Sequence, residues 1–244
     1  MKPTFGMLLV PLLALAAPAF AGCDDKPEPG VDWAGCPKKL ISLRGEDLAG
    51  ANLSETNLSG TDLREANLGK AVFDRANLAQ AWLHGAKLAG ASMFKAYGYG
   101  TDLSGADLTD AKLNYLELYR SVFAGAKLHR ADLGNASLPR ADFTGADLSG
   151  AALAKADIMR GNFEGADLSE TDFTNAIIAR STFKGAKLAG SDWSEAFLYK
   201  TDLSGTDLGA VKGLTQHQVD EACGDDATVL PGGLARPADW PCSE

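Results

Sequence analysis

The chain has 244 residues and carries 32 acidic side chains against 23 Lys and Arg, which gives a formal net charge of -9 at pH 7. This acidic balance makes DNA binding unfavourable, because phosphates are repelled by a negative surface. The length suffices for one large domain. Aromatic residues make up 8% of the chain, and glycine is frequent.

The N-terminal segment has the features of a signal peptide. Lys2 precedes an apolar run over Met7–Phe20, and Ala19-Phe20-Ala21 forms a small-x-small cleavage site. We therefore predict a signal peptide over residues 1–21 and a periplasmic or secreted mature chain. The run is short and contains Pro and Ala, which disfavours a membrane span.

A bacterial lipoprotein is the alternative interpretation of the same segment. Cys23 would then be acylated and would anchor the chain to a membrane. The sequence "FAGC" fits such a site imperfectly, because Phe20 stands where a branched aliphatic residue is expected.

Residues 41–210 contain a repeat of five residues. A large apolar residue recurs at every fifth position from Leu43 to Leu208, and only Gly98 interrupts the series. Two residues before each centre stands Ala, Ser, Thr or Gly, with Ile41, Glu46 and Leu116 as departures. This period fits neither a helix nor a flat strand. A square coil with four repeats per lap would point every centre inward.

The repeat resembles that of the pentapeptide-repeat family, as in "ADLTD" at 106–110, "GADLSGA" at 145–151 and "EGADLSE" at 164–170. The resemblance implies an all-β fold, a right-handed quadrilateral parallel β-helix. The repeat would supply about 8 coils, and the rod would be roughly 40 Å long.

The segments at 22–40 and 211–244 are predicted to cap the two ends, where core and backbone would otherwise be exposed. Thr215 with Gln218 forms a capping-box pattern, and Leu214 with Val219 is placed as a hydrophobic staple. We expect a short helix from about Gln216 to Cys223, followed by an extended tail. Gly224 fits a helix stop.

Four cysteines lie outside the repeat. Cys23 and Cys36 bracket a short segment at one end, and Cys223 and Cys242 bracket another at the opposite end. We predict disulfides 23–36 and 223–242, since other pairings would span the rod. Export permits such bonds. A metal site is the alternative, but no histidine lies at a suitable spacing.

Catalytic motifs are not evident in the sequence. His84, His129 and His217 are scattered, and most aspartates stand just before a repeat centre, where they suit the turn. We find no phosphate loop and no zinc spacing. The chain is therefore predicted to be non-enzymatic and to use no cofactor or metal.

One side of the predicted rod is distinctive. If each lap takes twenty residues, one wall presents a column of five cations and four tyrosines, with only Glu117 and Asp157 as acids. We name this surface the Arg/Tyr wall. It consists of the repeats centred on residues 98, 118, 138, 158, 178 and 198, and its candidate binding residues are Arg120, Arg140, Arg160, Arg180, Lys200, Tyr97, Tyr99, Tyr119 and Tyr199.

Two interpretations of the cation column compete. In the first, the arginines lie over neighbouring tyrosines and reach carboxylates around the corner, such as Asp142 and Asp202. In the second, a partner neutralises the stacked charge.

Gly98 is also open to two interpretations. Either Leu116 fills a void that Gly98 leaves, or "AYGYG" forms a bulge that displays Tyr97 and Tyr99.

The sequence therefore favours an exported scaffold or protein-interaction module, whose partner is another protein or a second copy of the chain. Binding of an anionic polymer or glycan by the same wall is the second candidate. Some members of the pentapeptide-repeat family mimic DNA and bind DNA gyrase. That third role requires retention in the cytoplasm, and the positive wall argues against it.

Overall fold

The computed structural model describes residues 22–240; the predicted signal peptide lies outside them. The backbone winds so that each residue before a centre pairs in parallel with the residue twenty positions later. Asp47 pairs with Asn67, and Asp107 pairs with Lys127. The predicted lap of twenty residues is confirmed. The pairing begins at Asp32, which lies within the segment predicted as the N-terminal cap.

The interior is filled by the repeat centres and by the small residues two positions before them. Leu48, Leu68 and Ala66 have no exposed surface. Where the small residue is polar, its hydroxyl bonds to a backbone carbonyl, either of the preceding coil or three residues earlier in the same coil. Thr171 Oγ1 donates to the Leu148 carbonyl at 2.9 Å, for example. Because the buried hydroxyl keeps a hydrogen-bond partner, Thr and Ser can replace Ala at this position.

Each corner is a tight turn that follows a centre. The amide of Ala51 donates to the Leu48 carbonyl at 3.0 Å, and Gly50 between them has φ of +68°. This is the positive φ that a type II turn requires at its third residue. The Asp or Asn before a centre bonds to the same turn: Asp107 Oδ1 accepts from the Thr109 amide at 3.1 Å. The predicted role of these aspartates is confirmed.

Phenylalanines form a stacked column inside the rod. The rings of Phe123, Phe143, Phe163 and Phe183 lie parallel in successive coils, with centroids 4.8, 5.0 and 4.7 Å apart. These distances match the spacing of paired strands. The column therefore measures the rise from one coil to the next.

The coils at Gly98 depart from the regular corner. Strand β1 spans Tyr97–Tyr99 and strand β2 spans Glu117–Tyr119, and the two pair in parallel with Gly98 opposite Leu118. The pairing keeps the twenty-residue register, so no bulge residue is inserted. Tyr97 and Tyr99 are nevertheless exposed, as the bulge interpretation predicted.

The backbone at Gly98 leaves no room for a Cβ atom. A Cβ at this position would lie 2.9 Å from the backbone of Leu78 and of Ala79 in the preceding coil. The glycine is therefore explained by a close approach of two backbones. Leu116 is fully buried in the core, and its compensation for Gly98 stays a prediction.

Helix α1 spans Gln216–Glu221 and begins with the predicted capping box of Thr215 and Gln218. The side-chain amide of Gln218 donates from Nε2 to the carbonyls of Trp193 and Ala196, both at 2.9 Å, and Val219 is fully buried. The helix is thereby fixed against the preceding coils.

The predicted stop at Gly224 is wrong. The helix ends earlier, and its C-cap Ala222 is extended with φ of -91°. The physical reason is that Cys223 immediately rejoins the ladder by pairing with Asp202. Gly224 instead packs against the Trp240 ring, where a side chain has no room.

The structure contains the predicted disulfide between Cys23 and Cys36, with Cα atoms 5.5 Å apart. The other predicted pair, Cys223 with Cys242, includes a residue that lies outside the described residues. No helix within residues 22–240 is long and apolar enough to cross a membrane.

Gly98→Ala should lower the free energy of unfolding by about 1–3 kcal/mol, because the added methyl group clashes with rigid backbone. Gly69→Ala is the matched control, since Gly69 also has no positive φ and its nearest neighbour would be 3.6 Å away. We expect Gly69→Ala to leave stability unchanged or slightly raised. Urea unfolding of both variants measures the difference. Equal effects would contradict the close approach.

Candidate functional site

The fold aligns the predicted cations in one column at a single corner of the coil. The backbone ladder connects consecutive members: the Arg120 amide donates to Pro139, and the Arg140 amide donates to Met159. The side chains of all five cations are exposed. They therefore follow each other at roughly 4.8 Å, the spacing of paired strands.

The cations occupy backbone positions that favour glycine. Their φ values lie between +52° and +60°, in the left-handed region. A side chain in this region costs about 1–2 kcal/mol. The next corner along the chain meets the same requirement with glycine, at Gly125, Gly145 and Gly165. Local backbone preference thus opposes the cation column.

Two of the five cations that take a positive φ at other corners, Arg75 and Arg130, are paired with acids on neighbouring coils. Arg130 makes two hydrogen bonds of 2.8 Å to Asp110 and holds the pKa of that carboxyl below its usual value. Arg75 pairs with Glu55 in the same manner at 3.2 Å. Opposite charges on adjacent coils offset each other there.

The Arg/Tyr wall lacks this compensation. Within residues 22–240, none of its five cations has a carboxylate oxygen within 4 Å. The predicted contacts to Asp142 and Asp202 are not formed. Asp142 accepts from the Thr144 amide, and Asp202 accepts from the Ser204 amide. These carboxylates are used by their own turns, so that part of the first interpretation is wrong.

The tyrosines do contact the cations. Tyr99 and Tyr119 stack with centroids 5.7 Å apart, and the Arg120 guanidinium lies 5.4 Å from the Tyr119 ring. The neighbouring hydroxyls of Tyr119 and Tyr99 raise the pKa of Arg120 above its ordinary value. Arg180 lies 5.9 Å from the Tyr199 ring. These contacts hold the guanidinium groups without neutralising them.

The same wall exposes most of the large apolar side chains on the surface. Seven of the twelve exposed large hydrophobic residues in residues 22–240 lie on it: Tyr97, Tyr99, Tyr119, Met159, Ile177, Phe197 and Tyr199. Phe197 is 50% exposed and stacks on Tyr199 with centroids 6.3 Å apart. Exposed apolar residues concentrated on one surface, here called the apolar strip, are typical of an interaction site.

The strip deepens where the tyrosines flank Gly98. A depression of about 490 Å³ is lined there by Tyr97, Gly98, Tyr99, Tyr119 and Pro139, among others. Glu117 also lines it, and is one of the two acids on the wall. The other, Asp157, bonds to the Met159 amide at 3.1 Å. Tyr97, Tyr99 and Tyr119 therefore flank a shallow aromatic trough.

Acidic residues close the column at its C-terminal end. The Lys200 amide donates to the Glu221 carbonyl, and Lys200 lines a second depression together with Asp220, Glu221 and Asp239. This boundary was not predicted from the sequence. The five-residue repeat ends near residue 210, so position within the repeat could not predict the path of the chain that follows.

The histidines contact serines but do not form a catalytic triad. His84 Nδ1 lies 2.9 Å from Ser104 Oγ, and that hydroxyl donates to Asp102. His129 has the equivalent contact to Ser149 at 2.9 Å. In a triad the carboxylate orients the imidazole, whereas here it accepts from the hydroxyl. Because the serine hydroxyl donates its proton to the aspartate, it does not donate that proton to the histidine.

Parallel pairing at a twenty-residue offset defines the protein as a β-helical solenoid. The family model for pentapeptide repeats matches the chain in 8 copies, whose segments run without a gap from residue 42 to residue 211. The chain belongs to the pentapeptide-repeat family. It accordingly forms the right-handed β-helix of that family.

Solved structures of pentapeptide-repeat proteins resemble the chain. HetL of Nostoc sp. strain PCC 7120, involved in heterocyst differentiation regulation, is 25% identical, with a TM-score of 0.42 over 85% of this chain and 93% of its own. Full-length QnrB1, a plasmid-mediated fluoroquinolone resistance protein, is 20% identical, with a TM-score of 0.41 over 74% and 80%. A thylakoid lumen protein of Arabidopsis thaliana is 24% identical, with a TM-score of 0.13 over 66% and 70%. A search of curated proteins found no match.

Arg140→Gly should raise the free energy of unfolding, by on the order of 1 kcal/mol, because it removes a left-handed side chain from a column of like charges. Arg130→Gly is the matched control. This variant also removes a side chain from a left-handed backbone position, with φ of +55°, but it breaks the ion pair with Asp110. We expect a smaller gain or a loss for Arg130→Gly in urea unfolding. A larger loss for Arg140→Gly than for Arg130→Gly would show that Arg140 stabilises the fold.

Proposed function

We propose that the protein is an exported, non-enzymatic binding module that contacts a protein partner through the Arg/Tyr wall. The observation that carries this proposal is that exposed apolar side chains and cations without ion pairs lie on the same wall. Seven of the twelve exposed large apolar residues share one wall with five cations that have no ion pair in residues 22–240.

The energetics support a binding role. The cation column opposes backbone preference and stacks like charges, so its side chains destabilise the free protein locally. A partner that supplies carboxylates and covers the apolar strip would remove both penalties. A wall of this shape offers a long line of contact, whereas enzymes commonly enclose a small substrate in a cleft.

The Cys23–Cys36 disulfide supports export, because such bonds persist in oxidising compartments. The bond also occupies the Cys23 thiol, which acylation would require, so we favour a periplasmic or secreted protein over a lipoprotein. An exported protein is separated from cytoplasmic gyrase. The positive wall further distinguishes this rod from a mimic of DNA.

Binding of an anionic polymer or glycan is the second candidate function. Cations beside stacked tyrosines suit acidic sugars as well as acidic proteins. The large apolar side chains of Met159, Ile177 and Phe197 favour a protein, because they offer no hydrogen bond to a sugar hydroxyl.

Affinity capture from the periplasmic and extracellular fractions tests the proposed function. The variant Arg140→Glu/Arg160→Glu should lose a protein that the wild type retains, since it reverses the charge of the column. The control Lys87→Glu/Lys112→Glu makes the same charge change at exposed positions on other walls and should retain it. Identical capture by all three proteins would refute the role of the wall. Retention of an acidic polysaccharide alone would support the second candidate.

Export is tested separately by N-terminal sequencing and cell fractionation. We expect a mature chain that begins near Gly22 in a periplasmic or secreted fraction, with Cys23 in its disulfide. A cytoplasmic chain that retains its N-terminal segment would contradict export and would favour the gyrase role. An acylated Cys23 in a membrane fraction would establish the lipoprotein interpretation.

A further inference from the structure

We propose that the partner presents an acidic amphipathic α-helix, which lies lengthwise along the Arg/Tyr wall. This inference rests on the proposed function and names the chemistry of the segment that binds. The apolar face of the helix would cover the exposed strip, and a row of carboxylates along one flank would meet the cation column.

The spacing of the cations fits a helix. Phenylalanine rings of successive coils lie 4.7–5.0 Å apart, so charges on adjacent coils repeat at this interval along the rod. One turn of an α-helix rises about 5.4 Å. From Arg120 to Lys200 the column spans roughly 19 Å, and four helical turns span about 22 Å. Flexible Arg and Lys side chains can absorb so small a mismatch.

Other regular chains fit the column less well. Residues on one face of a β-strand repeat at about 6.6 Å, so five of them span roughly 26 Å and lose register with the cations. The phosphates of one strand of duplex DNA advance only about 3.4 Å along its axis. A helix with one carboxylate per turn is therefore the regular element that comes nearest to the observed interval.

The apolar side chains lie where a helix would rest. The column after the centres presents Tyr99, Tyr119, Pro139, Met159 and Tyr199 directly beside the cations, and the small, buried Ala179 lies between the last two. The column before the centres adds Ile177 and Phe197 at the C-terminal half of the strip. These two columns run parallel to the rod axis. An amphipathic helix carries an apolar stripe of matching direction, flanked by polar residues.

Charge complementarity favours an acidic partner and favours its binding at the Arg/Tyr wall. The chain has a net charge of -9, so an acidic helix is repelled by most of the surface and attracted to the cation column. Asp220, Glu221 and Asp239 stand beyond Lys200 and end the favourable region. An acidic helix of about 14 residues would reach from Arg120 to this boundary.

The test uses an 18-residue fluorescein-labelled model peptide with Leu on one helical face and Glu along one flank. Fluorescence anisotropy measures its Kd. We expect at least tenfold weaker binding to Arg140→Glu/Arg160→Glu than to the wild type, and no more than a twofold change for Lys87→Glu/Lys112→Glu. Ile177→Ser/Phe197→Ser should also weaken binding tenfold, while its circular dichroism spectrum shows that the rod is still folded.

Two peptide controls isolate the helix. Replacement of Glu by Lys should abolish the preference for the wild type, and two central prolines should weaken binding at least tenfold, because they break the helix. Absence of binding by the Glu peptide, equal binding by the proline peptide, or binding unaffected by Arg140→Glu/Arg160→Glu would each overturn the inference. Polygalacturonate binding that depends on the column, without peptide binding, would do the same and would indicate an acidic polymer.

Capture of a protein through the wall is measured independently of these peptides. If capture depends on Arg140 and Arg160 but the Glu peptide does not bind, the proposed function stands and the helix is wrong. If both experiments show no dependence on the wall, the proposed function fails as well.

Discussion

The backbone ladder between successive coils is the constraint on which the other features depend. Because each residue before a centre pairs with the one twenty positions later, equivalent positions of every fourth repeat stack in one column. The same register stacks Phe123 on Phe143 in the interior and Arg140 on Arg160 at the surface. A single residue type at one position of the repeat thus becomes a continuous line of like side chains. Core and binding surface follow from the same geometry.

Surface columns on this rod divide into two kinds. Where opposite charges alternate, as at Asp110 and Arg130, neighbouring coils satisfy each other and nothing remains for a partner. Where one sign repeats, as from Arg120 to Lys200, the field of the column extends into solvent. The apolar strip beside that column is also uncovered. The solenoid itself is stabilised elsewhere, by its buried centres and ladder, so this one wall can be specialised for contact.

The sequence predicted the regular features because they are periodic. The lap of twenty residues, the buried centres, the aspartates at the turns and the capping box could all be derived from position within the repeat. Most of the departures lie where the period is broken. The close approach of Gly98 to Leu78 and Ala79 was not predicted, because it depends on the exact separation of two backbones, which the repeat pattern does not specify. The early end of α1 and the acids beyond Lys200 depend on a chain path that follows the repeat. The contacts to Asp142 and Asp202 failed because local turns bind those carboxylates first.

The alignment of the cation column can be measured by the distance between nitroxide labels at positions 120 and 200, using pulsed electron paramagnetic resonance. These positions are separated by four laps, so their backbones should lie roughly 19 Å apart along the rod. A single narrow distribution near that value, broadened only by the label linkers, is the expected result. A broad distribution, or a distance beyond about 30 Å, would contradict the twenty-residue register. It would also remove the physical basis of the Arg/Tyr wall.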